Sequence, residues 1–374
     1  MAQRLAPQPR QDSCEVVAIT LDALSELDLN DTSSELCVSL DRAFDENGLG
    51  IVCITGDDDF QARVKQIRDE LLPLALALEQ LPESSKESIR ERGTRNVNNF
   101  SSNIDGNRSG IYFHPTTDDP SDCLPLGIIA EPTFYAKNLW PDSEMPELKI
   151  RARDAAPFVV GIGQKLAAAI DARCGLAHEG YETGTLSALV RNAEECNHKC
   201  RLICYNEYVS EEQRAKAKGM WAAPHKDTCL LTALIPGIFL GPEGQRLQTC
   251  PDPEVGLYVR DRRGSISKIV PPEGAGECIF FQVGEALQIV SGGLYHATEH
   301  CVRGPPHANA GYSRASLAVF LQPHAHEELA LPKGVSLKQV ANRANDGLFR
   351  MFLHYQPDNS TGINFLQFCL REGF

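Results

Sequence analysis

Residues 255–290 read VGLYVRDRRGSISKIVPPEGAGECIFFQVGEALQIV. Short apolar runs, "VGLYV", "ISKIV", "CIFF" and "ALQIV", follow one another with Gly, Pro and Asp between most of them. Closely spaced short runs bounded by turn residues are typical of a β-sandwich or jelly roll and not of alternating strands and helices. We therefore predict a strand for each of these runs.

The same pattern of short apolar runs continues on both sides of this stretch. Upstream lie "RLICY" (201–205) and "CLLTALI" (229–235), and downstream lie "TEHCV" (298–302) and "RASLAVFLQP" (314–323). Each run is strand-like in length and in its content of apolar residues. We expect residues 195–325 to form one jelly-roll core.

The flanking regions have a different pattern. Residues 1–13 are polar with two prolines and are expected to be disordered. Residues 14–194 mix helices and short strands, and residues 326–374 form a C-terminal helical extension with a helix near 336–353. The predicted class is therefore α+β and mainly β, with N-terminal helices flanking the core.

Helix signals are clear in the N-terminal region. Thr32 and Glu35 have capping-box spacing, residues 60–92 are predicted helical, and a later apolar periodicity ends at Gly175. Residues 93–145 are rich in Asn, Ser, Asp, Gly and Pro, and we predict a long loop there.

Composition excludes several classes of partner. The formal net charge is −14, and no basic run is interleaved with aromatic residues, so nucleic acid is not expected as a partner. No apolar run is long enough to span a bilayer, which argues against a membrane partner. The N-terminus lacks an apolar signal core, so a cytoplasmic location is expected. We also expect a monomer that acts on a small molecule.

The chain has 13 cysteines, and one tight cluster stands out. Cys196, His198, Cys200 and Cys204 lie close together in "CNHKCRLIC". These residues are possible zinc ligands, but their spacing is not C-x-x-C and no second ligand pair of a zinc motif follows. We expect no structural zinc and no disulfides, with most cysteines as buried thiols in a reducing compartment.

The candidate metal ligands begin with His225 and Asp227, which precede the run "CLLTAL". Residues two apart on a strand point to the same face. An imidazole and a carboxylate are two members of the facial triad that holds Fe(II) with open positions. The alternative is a hydrogen-bonded core histidine. His296 and His300 are candidates for the third ligand, and His307 lies just beyond them.

A second candidate pair is Arg314 and Ser316 in "RASLAVFLQP". A guanidinium on an apolar strand needs an anionic partner, and its planar fork suits a carboxylate. A structural Arg–Asp pair is the alternative.

Taken together, these motifs resemble those of a known enzyme family. "RLICY", "HKDTCLLTAL", the run from Gly256 to Val302 and "RASLAVFLQP" resemble, in the same order, the motifs of the 2-oxoglutarate/Fe(II)-dependent oxygenases of the isopenicillin N synthase-like subfamily. Residues 16–56 are similar to the leading segment of that family. The resemblance implies a double-stranded β-helix core.

The resemblance also implies site residues. The iron ligands correspond to His225, Asp227 and His300, and His300 is preferred because it stands before x-V. The 2-oxoglutarate carboxylate would bind Arg314 and Ser316, and the helper tyrosine of the family corresponds to Tyr205. Cys301 replaces the usual arginine, and "GPPHANAG" lengthens the hairpin before Arg314.

The implied function is an Fe(II)-, O2- and 2-oxoglutarate-dependent oxygenase that hydroxylates or oxidises a small organic metabolite and releases succinate and CO2. Ascorbate is a candidate reductant. Two alternatives stay open: an Fe(II) oxidase, like isopenicillin N synthase, that does not consume 2-oxoglutarate, and a non-catalytic binding protein on the same fold. The sequence does not identify the substrate.

Overall fold

The computed structural model describes residues 16–25, 34–90, 99–104, 107–124, 132–192, 197–336, 339–340 and 363–371. In this part of the chain two β-sheets pack against each other, and helices cover the outer face of the larger sheet. The predicted α+β class with a β-rich core is confirmed.

The strands are as follows in chain order: β1 Val17–Thr20, β2 Ile51–Thr55, β3 Asn99–Ile104, β4 Arg108–Phe113, β5 Lys199–Tyr205, β6 Met220–His225, β7 Leu231–Leu240, β8 Arg246–Leu247, β9 Gly256–Arg260, β10 Ile266–Lys268, β11 Ile279–Val283, β12 Glu299–Arg303 and β13 Ser313–Leu321. Among the described residues, nine strands form the large sheet in the order β1-β2-β11-β7-β13-β5-β4-β3, with β8 paired to β7. The small sheet has the order β10-β9-β12-β6. The pair β1–β2 is parallel, and the other pairs are antiparallel.

The helices are α1 Leu21–Ser25, α2 Glu35–Phe44, α3 Asp58–Gln66, α4 Leu74–Glu79, α5 Glu83–Ser88, α6 Pro132–Tyr135, α7 Pro146–Ala177, α8 Thr185–Asn192, α9 Glu211–Lys216, α10 Glu285–Val290 and α11 Phe365–Arg371. A π-helical turn, Ile67–Leu71, continues α3, and a 3-10 turn spans Pro120–Cys123. No helix in the described ranges is both long and apolar enough to cross a membrane.

The long helix α7 packs on the outer face of the large sheet. At Gly163 an added Cβ would lie only 3.1 Å from a ring carbon of Phe281 and would also meet Leu321, so the missing side chain permits the close approach of helix and sheet. The helix continues through Gly175 to Ala177, two residues beyond the predicted end. Since tertiary packing stabilises this last turn, a single glycine does not end the helix.

One predicted helix start differs from the structure, and one predicted helix lies mostly outside the described residues. Helix α2 begins at Glu35 with Ser34 as its N-cap, whose side chain accepts from the N–H of Cys37. The predicted cap, Thr32, lies outside the described residues, as does most of the helix expected near 336–353.

The run "ALQIV" is a helix and not the predicted strand. All residues of α10, Glu285–Val290, are buried, so the run has no polar face from which a helical period could be recognised. The helix follows Gly284, where an added Cβ would collide with the carbonyl oxygen of Cys229. This glycine lets the start of α10 pack directly on the chain segment before β7.

The stretch 93–145, predicted as one long loop, contains regular structure. Strands β3 and β4 form a hairpin that extends the large sheet beyond β5. The polar side chains that suggested a loop are partly used in the sheet: Asn99 donates to the carbonyl of Lys137, and its side-chain oxygen accepts from the N–H of Leu139. The prediction is corrected here because the polar side chain of Asn99 is satisfied by backbone groups about 40 residues away, which the local sequence does not reveal.

The space between the two sheets is filled by side chains of both. Trp221, Val302 and Ala318 belong to one buried cluster, and Val259 and Phe280 belong to another. The face of the small sheet that carries Val259 and Val302 therefore packs against the inner face of the large sheet. Both sets of candidate site residues lie on these facing surfaces.

Candidate metal centre

His225 is the last residue of β6. Its Nδ1 lies 2.7 Å from the carbonyl oxygen of Ala223, so a proton on Nδ1 can be donated there and Nε2 keeps its lone pair. Nε2 lies 3.7 Å from Oδ1 of Asp227. The His225 side chain is 45% exposed and that of Asp227 is 12% exposed, so solvent reaches the pair from the His225 side.

Asp227 lies in the connector between β6 and β7 and not on a strand with His225 as predicted. Two contacts fix it. The backbone N–H of Glu285, the first residue of α10, donates to the carbonyl of Asp227 at 2.8 Å, and the hydroxyl of Thr232 donates to its Oδ2 at 2.6 Å. These bonds bring the carboxylate toward His225 although strand geometry does not.

His300 completes the group from β12. It is the cross-strand partner of His225, and the two imidazole ring centroids are 4.3 Å apart. Nε2 of His300 lies 3.8 Å from Oδ2 of Asp227. One ligand atom from each of the three residues lies within 4.8 Å of the others. Burial lowers the pKa of His300 to about 4, and His225 acts in the same direction, so the imidazole is neutral and has a lone pair to offer at neutral pH.

Gln282, on β11, contacts His300 from the large sheet. Its side-chain amide nitrogen lies 2.8 Å from Nδ1 of His300, while its Oε1 is buried without a hydrogen-bond partner among the described residues. When Nε2 binds a metal, Nδ1 carries the proton and needs an acceptor. Turning the amide by 180° puts Oε1 in that place and removes the unsatisfied oxygen. Two imidazoles with one carboxylate are a donor set that fits a divalent transition metal.

The other two histidines of this region lie elsewhere. His296 is buried, and its backbone N–H donates to the carbonyl of Phe44. It is not in the group that could hold a metal among the described residues, and neither is the exposed His307. The structure therefore brings His300, and not His296, to the pair His225–Asp227.

Arg314 and Ser316 lie on the inner face of the large sheet. Arg314 is the cross-strand partner of Tyr205, and its Cζ lies 5.5 Å from the centroid of the Tyr205 ring. Burial lowers the pKa of Arg314, and Tyr205 opposes that shift. Ser316 is buried one inward position further along β13. The predicted pair and the helper tyrosine thus share one face.

Aromatic rings fix the position of Tyr205. Its ring stacks on that of Trp221 with the centroids 5.6 Å apart, and Tyr312 meets Trp221 edge-on. Trp221 is fully buried and donates from Nε1 to the carbonyl of Asn206 at 2.8 Å. The guanidinium therefore lies beside a rigid apolar wall from which water is largely excluded.

The described residues of the cysteine-rich cluster are buried and serve in packing and hydrogen bonding. His198 is fully buried, and its Nδ1 accepts from the backbone N–H of Gln322 at 3.2 Å. Cys200 and Cys204 are buried in the core that lies on the helix-covered side of the sheet. Cys196 lies outside the described residues, so the absence of zinc stays a prediction.

Solved structures share this architecture. A 2OG-Fe(II) oxygenase family protein from Caulobacter crescentus superposes with a TM-score of 0.62 over 96% of this chain and 98% of that one, at 21% identity. The chain has the fold of the 2-oxoglutarate/Fe(II)-dependent oxygenases. The predicted double-stranded β-helix fold is thus confirmed.

Other solved structures give the same result. A full-length protein of Neurospora crassa, solved in complex with alpha-KG, has a TM-score of 0.57 at 16% identity and covers 87% of this chain and 90% of its own. JOX2, solved with 2OG, Fe and JA, has a TM-score of 0.57 at 15% identity and covers 86% of this chain and 79% of its own. At such identities the superpositions establish the oxygenase fold.

Sequence comparison gives a shorter match. Scopoletin 8-hydroxylase of Arabidopsis thaliana is 35% identical over 100 residues, which are 26% of each chain. The match therefore spans about a quarter of that curated relative. No protein-family profile matches the chain.

Proposed function

We propose that the chain is a non-haem Fe(II)- and 2-oxoglutarate-dependent oxygenase that oxidises a small organic metabolite. The observation that supports this most is the convergence of one ligand atom each from His225, Asp227 and His300 within 4.8 Å. Three protein ligands of this type leave open positions on Fe(II). The pair Arg314–Ser316 on the opposing sheet, with Ser316 buried and Arg314 partly buried, supplies the complementary site for an anion.

Each group has a distinct role in the proposal. His225, Asp227 and His300 hold the metal, and Thr232 and Gln282 orient two of these ligands through their hydrogen bonds. The bound Fe(II) supplies the oxidative chemistry with O2, in which 2-oxoglutarate becomes succinate and CO2. The protein contributes geometry and a largely dry interior.

Arg314 and Ser316 would hold the cosubstrate by its distal carboxylate. A guanidinium can donate two parallel hydrogen bonds to a carboxylate, and the hydroxyl of Ser316 can add a third. Tyr205 packs against the guanidinium and limits where it can move.

The substrate chamber is proposed to lie beside β4 and β5. Tyr112 of β4 faces the same side of the sheet as Arg201, whose Cζ lies 4.8 Å from the Tyr112 ring. The thymine bound to the Neurospora crassa protein and the JA bound to JOX2 are small molecules. By analogy we infer a small-molecule substrate, with residues 195–325 as the catalytic core, residues 14–194 as its N-terminal flank and residues 326–374 as an extension.

The test is metal titration followed by measurement of succinate. The purified protein should bind Fe(II) near one equivalent and should form succinate only when Fe(II), O2 and 2-oxoglutarate are all present. Full substrate oxidation without 2-oxoglutarate would support the oxidase alternative, and failure to bind Fe(II) or to turn over would support a non-catalytic binding protein. Comparison of a metabolite extract before and after incubation with the loaded enzyme identifies the substrate.

A further inference from the structure

The ladder between β7 and β13 is interrupted beside the anion site. Between the cross-strand pairs Ile235–Leu317 and Ile238–Ala315, β7 has two residues and β13 has one, Ser316. Two residues facing one define a β-bulge, a feature that re-aims neighbouring side chains and often lies next to active sites. The bulge therefore lies directly opposite the R-x-S pair.

The two residues of the bulge are Pro236 and Gly237. Proline lacks an N–H and is tolerated in a sheet at a bulge. Gly237 lies against the guanidinium of Arg314: a Cβ built at Gly237 would lie 2.7 Å from Cζ and 2.8 Å from both Nε and Nη2. Any side chain at position 237 would thus occupy the place of the guanidinium.

The guanidinium is enclosed on its other side as well. The Tyr205 ring centroid lies 5.5 Å from Cζ of Arg314, and Tyr205 is itself stacked on the buried Trp221. Gly237 from β7 and Tyr205 from β5 are therefore two walls of a slot that holds the planar group. A planar group in a slot has a defined plane, which a bidentate contact with a carboxylate requires.

We propose that Gly237 is a positioning residue for 2-oxoglutarate binding: the absence of its side chain provides the space in which the Arg314 guanidinium is aimed at the distal carboxylate of the cosubstrate. This inference rests on the proposed function. It predicts that a single methyl group at position 237 weakens cosubstrate binding without disturbing the metal ligands.

The backbone itself does not demand glycine here. The φ angle of Gly237 lies outside the left-handed region, so an L-residue can adopt the conformation. The atoms that a Cβ would meet are the end of a flexible side chain and not backbone. The fold can therefore accept alanine at the cost of moving the guanidinium, which separates positioning from a structural role.

The experiment compares Gly237→Ala with Gly161→Ala. Gly161 lies in α7, and apart from its chain neighbours and the adjacent helix backbone no atom lies within 4 Å of the position of its added Cβ, so it is a matched control. Binding of 2-oxoglutarate is measured by isothermal titration calorimetry on the Mn(II)-loaded protein, together with Mn(II) affinity and Tm. Displacing the guanidinium forfeits one or more charge-assisted hydrogen bonds, so we expect Gly237→Ala to raise the Kd for 2-oxoglutarate by roughly 10- to 100-fold. Mn(II) affinity should stay within about twofold, and Gly161→Ala should bind 2-oxoglutarate like the wild type.

A second comparison uses Arg314→Lys, since lysine keeps the charge but has no planar group to fill the slot. In that background Gly237→Ala should change the Kd less than about threefold, and any loss of Tm caused by crowding against the guanidinium should be relieved.

The results separate the two proposals. Unchanged 2-oxoglutarate binding by Gly237→Ala, or an equally large effect of Gly237→Ala in the Arg314→Lys background, overturns the positioning role and leaves the proposed function intact. A wild-type protein that binds Mn(II) but not 2-oxoglutarate overturns both.

Discussion

The hydroxyl of Thr232 donates a 2.6 Å hydrogen bond to Oδ2 of Asp227, the carboxylate of the candidate metal centre. Thr232 lies near the start of β7 in the large sheet, while the two histidines of the candidate centre belong to the small sheet. The orientation of the carboxylate thus depends on a side chain from the opposite sheet.

Replacing that hydroxyl should weaken metal binding. Thr232→Val keeps the shape and removes the hydrogen bond, and we expect a loss of about 10- to 100-fold in Mn(II) or Fe(II) affinity, as for other residues that orient metal ligands. Electron paramagnetic resonance titration with Mn(II) measures it. Thr232→Ser keeps the hydroxyl and should bind nearly as the wild type does; equal losses in both variants would contradict the role of this bond.

The proposed metal ligands can be distinguished from His296 by mutation. His225→Ala, Asp227→Ala and His300→Ala should each weaken metal binding by more than roughly a hundredfold and abolish turnover, since each removes a ligand atom. His296→Ala is the control because His296 is buried nearby outside the group. Iron content after gel filtration, with circular dichroism to verify the fold, measures the effect. Loss of iron in His296→Ala but not in His300→Ala would show that the wrong histidine is assigned.

Cosubstrate affinity should depend on the two residues of β13 to different degrees. Arg314→Ala leaves a desolvated carboxylate without its bidentate partner, which costs about 3–5 kcal/mol, or a hundredfold to a thousandfold or more in affinity. Ser316→Ala removes one hydrogen bond to a charged group, at about 1–2 kcal/mol. The KM for 2-oxoglutarate should therefore rise most in Arg314→Ala, less in Ser316→Ala, and metal affinity should change little in either. The reverse order would argue that Arg314 binds a different anion.

Acid sensitivity should depend in part on His198. Burial lowers its pKa from 6.5 to about 4. Between pH 6.5 and about pH 4, His198 is therefore protonated in the unfolded chain but neutral in the folded chain. The free energy of unfolding consequently falls as the pH falls through this window. The contribution is on the order of 3 kcal/mol when integrated over the window. It is fully present above pH 6.5.

His198→Asn retains a side-chain acceptor for the N–H of Gln322 but does not titrate. Urea unfolding of the metal-free protein at pH 7 and pH 4.5 should show a difference in unfolding free energy that is smaller in this variant by about 2–3 kcal/mol. His326→Asn, at an exposed position, is the matched control. An unchanged difference in His198→Asn would show that other groups account for the acid sensitivity.

The sequence predicts the inward orientation of His300 in the candidate metal centre because strand periodicity is a local property. In β12 His300 is buried while its neighbours Glu299 and Cys301 are partly exposed, as alternation requires. The order of the motifs then identifies the distant partner of His225 and Asp227. The three residues do come together in the structure.

The supporting residues are harder to predict because their role depends on distant chain segments. Thr232 and Gln282 are polar residues within apolar runs, and a polar residue at a buried strand position is a signal that it has a specific partner. The sequence gives no indication of which partner. The same holds for α10, whose role in fixing the backbone of Asp227 arises from packing of Gly284 against Cys229.

Asp227 lies where the chain crosses from the small sheet to the large one. A metal ion held by this residue together with His225 and His300 would link the two sheets of the jelly roll at one end. The distance between the sheets would then be set partly by the aromatic filling of the interior, Tyr205, Trp221 and Tyr312. Metal affinity therefore depends on the side-chain packing between the two sheets. Substitutions in this packing, even far from the three ligands, are expected to change the metal affinity.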